Sequence, residues 1–289
     1  MQEFNSESLK QLYIPASSSH KSQNGKVMLI AGSKLFHAAS IWPLTVMSRI
    51  CDMVFYASTT ENNEIVAKMK EEFRNGIVIP RDKIDSYINE ADCILIGPGL
   101  PREDGMQEGD FDTKTLTEGL LRKYPDKKWV IDGGSLQTIH PEVLLNLKQM
   151  PILTPHQREF EIIFGDVILN EMKNLDQDSS TASQDDKVSS MAKKYNCIIV
   201  LKGERDIVSS PNETVIVSGG NFGMTKGGTG DVLAGLVTAL YAKNDAFLSA
   251  CAASYINKKA GDSLFQRVGY YFNASDLADE IPKVMMEIL

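Results

Sequence analysis

Short apolar runs rich in β-branched residues recur along this chain, with helical patterns between many of them. Each run is nearly continuous rather than alternating, which is typical of strands covered on both faces of a sheet. Strand, helix and strand in repetition predict an α/β fold with a central, mainly parallel sheet flanked by helices on both faces. The predicted strands are Val27–Ala31, Met53–Ala57, Cys93–Ile96, Trp129–Ile131, Ile152–Thr154 and Ile198–Leu201.

The intervening segments predict helices and one hairpin. Asp206–Ser209 and Thr214–Val217 flank a polar turn, which indicates a hairpin. The polar stretch Asn170–Lys187 is expected to be a solvated surface excursion, with a flap over the site as the alternative. The predicted helices are Ser40–Arg49, Glu64–Arg74, Thr113–Lys123, Pro141–Lys148, Val188–Tyr195, about Asp231–Lys243 and about Ala246–Ala260.

Bulk properties limit the classes of protein to consider. The 289 residues contain no repeat and no linker, so we expect one domain over residues 1–289, with residues 1–20 as an N-terminal extension. A formal net charge of −8 argues against a nucleic-acid binder. No stretch approaches the roughly 20 apolar residues of a membrane span. Four scattered cysteines predict buried reduced thiols and a cytoplasmic protein.

The strongest chemical signal is Lys226-Gly-Gly-Thr-Gly-Asp231, placed directly before an amphipathic helix. Its glycines let the backbone approach a ligand closely, and the unpaired N–H groups of a helix N-terminus attract anions such as phosphate. We expect Asp231 at or beside the N-cap. A glycine-rich turn with an ordinary capping aspartate is the alternative, since Asp is a favoured N-cap. The dehydrogenase fingerprint and the Walker pattern both fit poorly.

Other glycine-bearing or polar turns follow the predicted strands. His156 and Glu159 come directly after Ile152–Thr154, where His156 is a candidate for substrate binding and Glu159 for a metal-bound water or a helix cap. Gly97-Pro-Gly99 and Lys202 each end a strand as well. Singly, each is as easily a structural turn, a structural histidine or an exposed lysine. Together they predict one shared ligand crevice.

The order of these motifs resembles the ADP/ATP-dependent NAD(P)H-hydrate dehydratases, a branch of the ribokinase-like superfamily. The resemblance covers roughly residues 20 to 285, and the Gly-Gly-Thr-Gly-Asp loop is characteristic of the superfamily. The motifs are His20-Lys21, Ala31-Gly32-Ser33, Gly97-Pro-Gly99-Leu, Asp132-Gly-Gly-Ser-Leu136, Leu153-Thr-Pro-His156, Leu201-Lys-Gly203, Gly227-Gly-Thr-Gly-Asp231-Val-Leu-Ala-Gly235 and Asn273-Ala-Ser-Asp276-Leu.

The resemblance implies a ribokinase-like fold and a repair reaction that restores NADH or NADPH from the hydrated cofactor, with ADP or ATP as phosphoryl donor and Mg²⁺ assisting. It implies a homo-oligomer and makes Asp231 the catalytic base, with a pKa expected to be lowered by the helix N-terminus. Ala39, Gly99 and His156 match positions that contact the hydrated cofactor. The nucleotide would be bound by Lys202, Gly203, Glu204, Arg205, Asp206, Gly227, Gly228, Thr229 and Gly230.

The chain departs from the family pattern mainly on the substrate side. Ala38 stands where glycine is usual, Gly134 where a second acid is common, Gln157-Arg158 where Pro-Gly follows the histidine, and Asn257 where a histidine is common. A kinase of the same superfamily, acting on a vitamin precursor or a sugar alcohol, is therefore the alternative function. A non-catalytic nucleotide-binding protein is the third hypothesis.

Overall fold

The computed structural model describes residues 2–70, 73–102, 112–174 and 183–289. Ten strands within these ranges form one sheet, and they coincide closely with the apolar runs of the sequence. The strands are β1 Gln2–Glu3, β2 Lys26–Ile30, β3 Met53–Ala57, β4 Ile77–Val78, β5 Cys93–Ile96, β6 Lys128–Ile131, β7 Ile152–Leu153, β8 Ile198–Leu201, β9 Asp206–Ser209 and β10 Thr214–Val217.

The sheet has the order β1-β10-β9-β8-β7-β6-β5-β2-β3-β4. From β4 through β8 every neighbouring pair is parallel, whereas β9 runs antiparallel to both β8 and β10. The mainly parallel sheet and the terminal hairpin predicted from the sequence are both confirmed. Because the parallel strands point the same way, the loops after β6, β7 and β8 meet at one edge.

Helices cover both faces of the sheet. The helices are α1 Ala38–Ile50, α2 Thr60–Met69, α3 Ile84–Glu90, α4 Thr113–Lys123, α5 Gly133–Leu136, α6 Gln157–Asn174, α7 Gln184–Lys194, α8 Thr229–Tyr241, α9 Ala246–Val268 and α10 Ala274–Ile288. Alternate residues of β2 point to opposite faces. Val27 and Leu29 belong to the core that includes residues of α1, α8, α9 and α10, and Met28 and Ile30 belong to the core that includes residues of α3, α4, α6 and α7.

Two sequence predictions need correction, on the segment 141–148 and on the start of α8, and the expectation for the polar stretch 170–187 is tested only at its ends. The segment predicted as an α-helix over Pro141–Lys148 is a 3-10 helix over Pro141–Asn146. A 3-10 helix has tighter turns and poorer hydrogen-bond geometry than an α-helix, so it is usually short. The polar stretch 170–187 is helical at both ends, in α6 and α7, and its residues 175–182 lie outside the described ranges. Helix α8 begins at Thr229 with Gly228 as its N-cap, so Asp231 is the third residue of the helix and not its cap.

The pairing of α1 with α8 positions the glycine-rich loop. Gly235 of α8 lies against Pro43 of α1, and a Cβ on Gly235 would fall 2.7 Å from the Cα of Pro43. The two helices therefore approach at backbone distance, and the start of α8 is held beside α1.

The first residues of the chain pack onto this domain. β1 pairs with β10 at the edge of the sheet, and Leu9 and Leu12 are buried in the core. All four cysteines are buried and free, as the sequence predicted. Among the helices of the described ranges, none has the length and apolarity needed to traverse a bilayer.

Candidate active site

A cavity of about 1100 Å³ opens at the carboxyl ends of β6, β7 and β8. It is bounded by the loops after these strands, by the loop after β10 and by the start of α8. Most of the residues singled out from the sequence line it. They are His156, Glu159, Lys202, Gly203, Glu204, Asp206, Gly227, Gly228, Thr229, Gly230 and Asp231.

The glycine-rich loop is shaped by close packing. Gly228 has φ +94°, a left-handed conformation that favours glycine, and a Cβ there would lie 2.4 Å from the ring of Trp42. Thr229 Oγ1 donates to the carbonyl oxygens of Met224 at 2.7 Å and Lys226 at 2.9 Å, which closes the loop onto the helix. Gly227 has open space around it. The first residues of α8 line the cavity wall, and the amides of a helix N-terminus favour a bound anion.

Asp231 lies in the first turn of α8 and is partly buried. Burial and the nearby carboxylates of Asp132 and Glu159 raise its pKa to about 8, against the opposing effect of Lys202. The lowered pKa expected from the sequence is therefore wrong. A helix terminus contributes only about 0.3–1 kcal/mol to a charged group, which desolvation and like charges outweigh here.

Lys202 lies among the acidic groups. Its Nζ donates to Asp132 Oδ1 at 3.1 Å and lies 3.8 Å from Glu159 Oε2. Burial alone would lower the pKa of Lys202, but the surrounding carboxylates raise it above its ordinary value. Thr154 Oγ1 donates to the same oxygen of Asp132 at 2.8 Å. Asp132 is thus a member of the site; the sequence analysis placed it in a family motif but assigned it no site role, although it directly follows a buried strand.

His156 and Glu159 cap helix α6 reciprocally. The Glu159 N–H donates to His156 Nδ1 at 3.2 Å, and the His156 N–H donates to Glu159 Oε2 at 2.9 Å. This is the geometry of a capping box, with an imidazole in place of a hydroxyl. Because Nδ1 accepts, the neutral ring carries its proton on Nε2. The capping role considered for Glu159 is present, and the exposed His156 ring still borders the cavity.

Buried polar side chains stabilise the loop after β8. Asp206 is buried and accepts hydrogen bonds from the Gly203 N–H at 2.9 Å and from Ser254 Oγ at 2.7 Å. Its Oδ1 also lies 3.2 Å from the Nζ of Lys258. Asp206 therefore shapes the loop through protein contacts. Arg205, which the resemblance places with the nucleotide, is exposed and is not among the residues that line the cavity.

Ala39 and Gly99 pack against each other rather than line the main cavity. A Cβ on Gly99 would lie 2.7 Å from the Cβ of Ala39. The preceding Gly97 meets the backbone of Asp132, where a Cβ would lie 1.8 Å from the carbonyl oxygen. The structure thus brings Ala39 and Gly99 together and connects this turn to the cavity through Asp132.

Two consecutive residues of α9, Asn257 and Lys258, also line the cavity, and the sequence analysis assigned no role to them. Asn257 is buried, and its Oδ1 has no hydrogen-bond partner among the described residues. A buried acceptor without a partner costs about 1–3 kcal/mol, so a ligand that brings a donor is favoured there. Within the part of the chain that the structure describes, no group of three His, Cys, Asp or Glu side chains is arranged to hold a metal by itself.

Comparison with known proteins identifies a family. The family model described as NAD(P)H-hydrate dehydratase matches residues 27–283. An ADP-dependent (S)-NAD(P)H-hydrate dehydratase from Nitrosopumilus maritimus is 33% identical over 288 residues, covering 94% of this chain and 93% of that protein. A bifunctional NAD(P)H-hydrate repair enzyme Nnr from Methanocaldococcus jannaschii is 36% identical over 285 residues, covering 96% of this chain. The chain spans 51% of that relative and 52% of a similar archaeal one.

A solved structure supports the fold independently. The ADP/ATP-dependent NAD(P)H-hydrate dehydratase from Bacillus subtilis, co-crystallised with ATP/Mg²⁺, superposes with a TM-score of 0.77 at 21% identity. The match covers 100% of this chain and 99% of that one. The ribokinase-like fold expected from the sequence is confirmed.

Proposed function

This chain belongs to the NAD(P)H-hydrate dehydratase family, and on that basis we propose that it uses ADP or ATP to dehydrate hydrated NADH and NADPH. One observation carries the proposal: a partly buried carboxylate, Asp231, lies in the first turn of a helix whose leading residues line a cavity of about 1100 Å³. A base next to an anion-binding backbone is what transfer of phosphate to a hydroxyl requires.

In the proposed first step, Asp231 accepts the proton of the substrate hydroxyl. The hydroxyl oxygen then bonds to the terminal phosphorus of the nucleotide, and the bond from phosphorus to the bridging oxygen breaks, releasing AMP from ADP or ADP from ATP. Amides of Gly228–Gly230 stabilise the charge on the transferring group. A pKa of about 8 suits this role, because a general base works best when its pKa is near the operating pH.

In the second step the bond from the ring carbon to the phosphate oxygen breaks, and the proton of the neighbouring ring carbon passes to the departing phosphate. The electron pair of that C–H bond forms the double bond of the reduced nicotinamide. Phosphate is a better leaving group than hydroxide, which explains why a dehydration would consume a nucleotide. The hydrated ring is proposed to bind near His156 and the turn formed by Ala39 and Gly99.

The site suits Mg²⁺ bound together with a nucleotide. The carboxylates of Asp132, Glu159 and Asp231 lie around Lys202, and burial together with the other two carboxylates raises the pKa of Asp231. Mg²⁺ usually takes one or two carboxylates together with substrate phosphates. Asp132 and Glu159 are the residues proposed to hold it, directly or through water. Bound there, it would supply positive charge to the phosphates.

The decisive assay incubates the purified protein with hydrated NADH or NADPH and Mg²⁺, with ADP and ATP in turn. We expect the absorbance of the reduced nicotinamide to return, with one phosphate released per nucleotide consumed. The matched control is Asp231→Asn, which keeps the shape of the side chain and removes the base. Nucleotide turnover only with a different alcohol, leaving a stable phosphoester, would refute the dehydratase and support the kinase alternative.

Two further predictions belong to this proposal. The cytoplasm is proposed as the compartment, supported by four buried free thiols that suit a reducing environment. The homo-oligomer implied by the family resemblance stays a prediction, which light scattering on the purified protein would test.

A further inference from the structure

The side chain of Lys258 ends among four oxygen atoms in the wall of the cavity. Its Nζ lies 3.1 Å from the carbonyl oxygens of Gly203 and Glu204 and 3.2 Å from that of Gly219. The fourth oxygen, Asp206 Oδ1, is 3.2 Å away. The side chain is 6% exposed, so its charge is balanced by these protein groups rather than by solvent. Removing such a charge from water is costly unless it is paired and hydrogen-bonded.

Lys258 joins two segments that are separate in the chain. Gly203 and Glu204 follow β8, whereas Gly219 follows β10, and both segments line the cavity. Lys258 directly follows Asn257 and lies four residues before Asp262, so all three residues belong to the same part of α9. Helix α9 thereby connects the two loops across the intervening strand β9.

One peptide group in the second loop is held from both sides. Lys258 donates to the carbonyl of Gly219, and Asp262 Oδ2 accepts from the N–H of Gly220 at 3.1 Å. The C=O of Gly219 and the N–H of Gly220 belong to the same peptide unit. Both glycines have positive φ, +111° and +79°, so this backbone conformation is one that few other residues adopt. An oppositely charged pair, one helical turn apart, fixes its orientation.

We propose that Lys258 is a positioning residue that sets the affinity of the cavity for the adenine nucleotide by holding these two loops in register. The inference rests on the proposed function, because it takes the nucleotide to be the ligand of this cavity. An ammonium group has three N–H donors, and four oxygens already surround this one. Lys258 therefore acts through the loops and not by contacting the phosphates or the reacting atoms. Pre-organised loops cost less entropy when the ligand binds.

The test compares Lys258→Met with the wild type in the full-length protein. Calorimetric titration gives the Kd of ADP and of ATP, and steady-state assays give kcat and KM for nucleotide and for hydrated NADH. We expect the Kd and KM of the nucleotide to rise about tenfold or more. We expect kcat at saturating nucleotide and the KM of hydrated NADH to change by less than about threefold. Loss of fold alone would not separate these constants in this way.

A matched control variant and a double variant separate the effect of the loop contacts from the effects of losing any lysine or of leaving a buried charge unpaired. Lys259→Met removes an exposed lysine from the same helix, and it should leave every constant unchanged. Lys258→Met leaves the buried carboxylate of Asp206 without its cation, which is destabilising. The double variant Lys258→Met/Asp206→Asn removes both charges, so it tests the same loops without an unpaired buried charge.

The outcomes separate this inference from the proposed function. Unchanged nucleotide affinity in a folded variant, an equal fall in kcat, or unfolding of both variants would each overturn the positioning role. Nucleotide binding by the wild type without dehydration would refute the proposed function and leave the binding comparison valid. Absence of any nucleotide binding by the wild type would overturn both.

Discussion

The carboxylate of Asp132 and the ammonium of Lys202 form an ion pair at 3.1 Å beside the catalytic candidate. Asp132 is buried, and 19% of the Lys202 side chain is exposed. Lys202 therefore neutralises one acid of the site and partly opposes two others. This arrangement differs from the free phosphate-binding lysine expected from the sequence, and it makes the charge state of Asp231 depend on residues from three separate strand ends.

Replacing Asp231 by asparagine should abolish turnover and preserve nucleotide binding. The amide cannot accept the hydroxyl proton, and loss of a general base typically costs about 10²–10⁴-fold in rate. We expect kcat to fall by about 10³-fold, with the Kd of ADP changed by less than about threefold. Stopped-flow or long-term phosphate release, together with calorimetric titration, measures both. Retention of turnover above a tenth of the wild-type rate would exclude Asp231 as the base.

The pH dependence of kcat/KM should follow the ionisation of Asp231 in the free enzyme. Because its pKa is raised to about 8, the carboxylate is mostly protonated at neutral pH. We expect kcat/KM to rise about tenfold per pH unit below pH 8, to pass its midpoint near pH 8 and to level off above about pH 9. A profile that is already flat at about pH 6 would show that the free enzyme has an ordinary carboxylate there.

Lys202→Met should shift the pH profile of kcat/KM to higher pH, because the positive charge of Lys202 lowers the pKa of Asp231. We expect a midpoint about one pH unit higher and roughly 100-fold lower activity at neutral pH, since Asp132 and Glu159 also lose their partner. Lys193→Met, an exposed change on α7, is the control. An unchanged midpoint in a folded Lys202→Met protein would contradict the electrostatic account.

Asp231 should also destabilise the unliganded fold at alkaline pH. Its folded pKa of about 8 exceeds the 3.8 of an aspartate in the unfolded chain, so the folded state binds more protons than the unfolded state between these values. The free energy of unfolding therefore falls as pH rises through this window. We expect Asp231→Asn and the wild type to differ little in stability below about pH 4, and the variant to gain several kcal/mol relative to the wild type by pH 8.5, at about 1.4 kcal/mol per pKa unit. Urea unfolding at several pH values measures the difference, and a gain that is independent of pH would contradict it.

Gly228→Ala and Gly227→Ala form a matched pair in the glycine-rich loop. A Cβ on Gly228 meets the Trp42 ring at 2.4 Å in a left-handed backbone, whereas one on Gly227 meets nothing within 4 Å. We expect Gly228→Ala to lower the free energy of unfolding by about 2–4 kcal/mol, and Gly227→Ala to change it by less than about 1 kcal/mol. Thermal and urea unfolding provide the comparison. Equal stability of the two variants would show that the loop can relax around the added methyl group.

The sequence predicted the elements whose signals are local. The continuous apolar run Cys93–Ile96 has the composition of a central strand, and it is one. The glycines before Asp231 indicated a ligand loop, and this loop lines the cavity. The helix start was placed two residues late, because an aspartate is a common N-cap and a left-handed Gly228 is not visible from composition.

What the sequence did not reveal depends on contacts between distant segments. Lys258 lies in an alanine-rich helical pattern, where a lysine is ordinarily a surface residue, and its four oxygen neighbours belong to two loops and the start of β9, 39 to 55 positions earlier in the chain. The raised pKa of Asp231 depends on burial and on Asp132, which lies 99 positions earlier in the chain (231 − 132). Such effects follow from the strand order, which periodicity does not specify.

The indole ring of Trp42 packs on Gly228, so the fluorescence of this tryptophan can report on the glycine-rich loop. The chain has two tryptophans: Trp129 is fully buried in the sheet, while Trp42 touches the glycine-rich loop and its Nε1 donates to Ser275 Oγ of α10 at 3.0 Å. Emission from Trp42 should respond when an anion occupies the loop, and emission from Trp129 should stay constant. Titration of the Trp129→Phe protein with nucleotide would therefore report occupancy directly, without a label and without turnover.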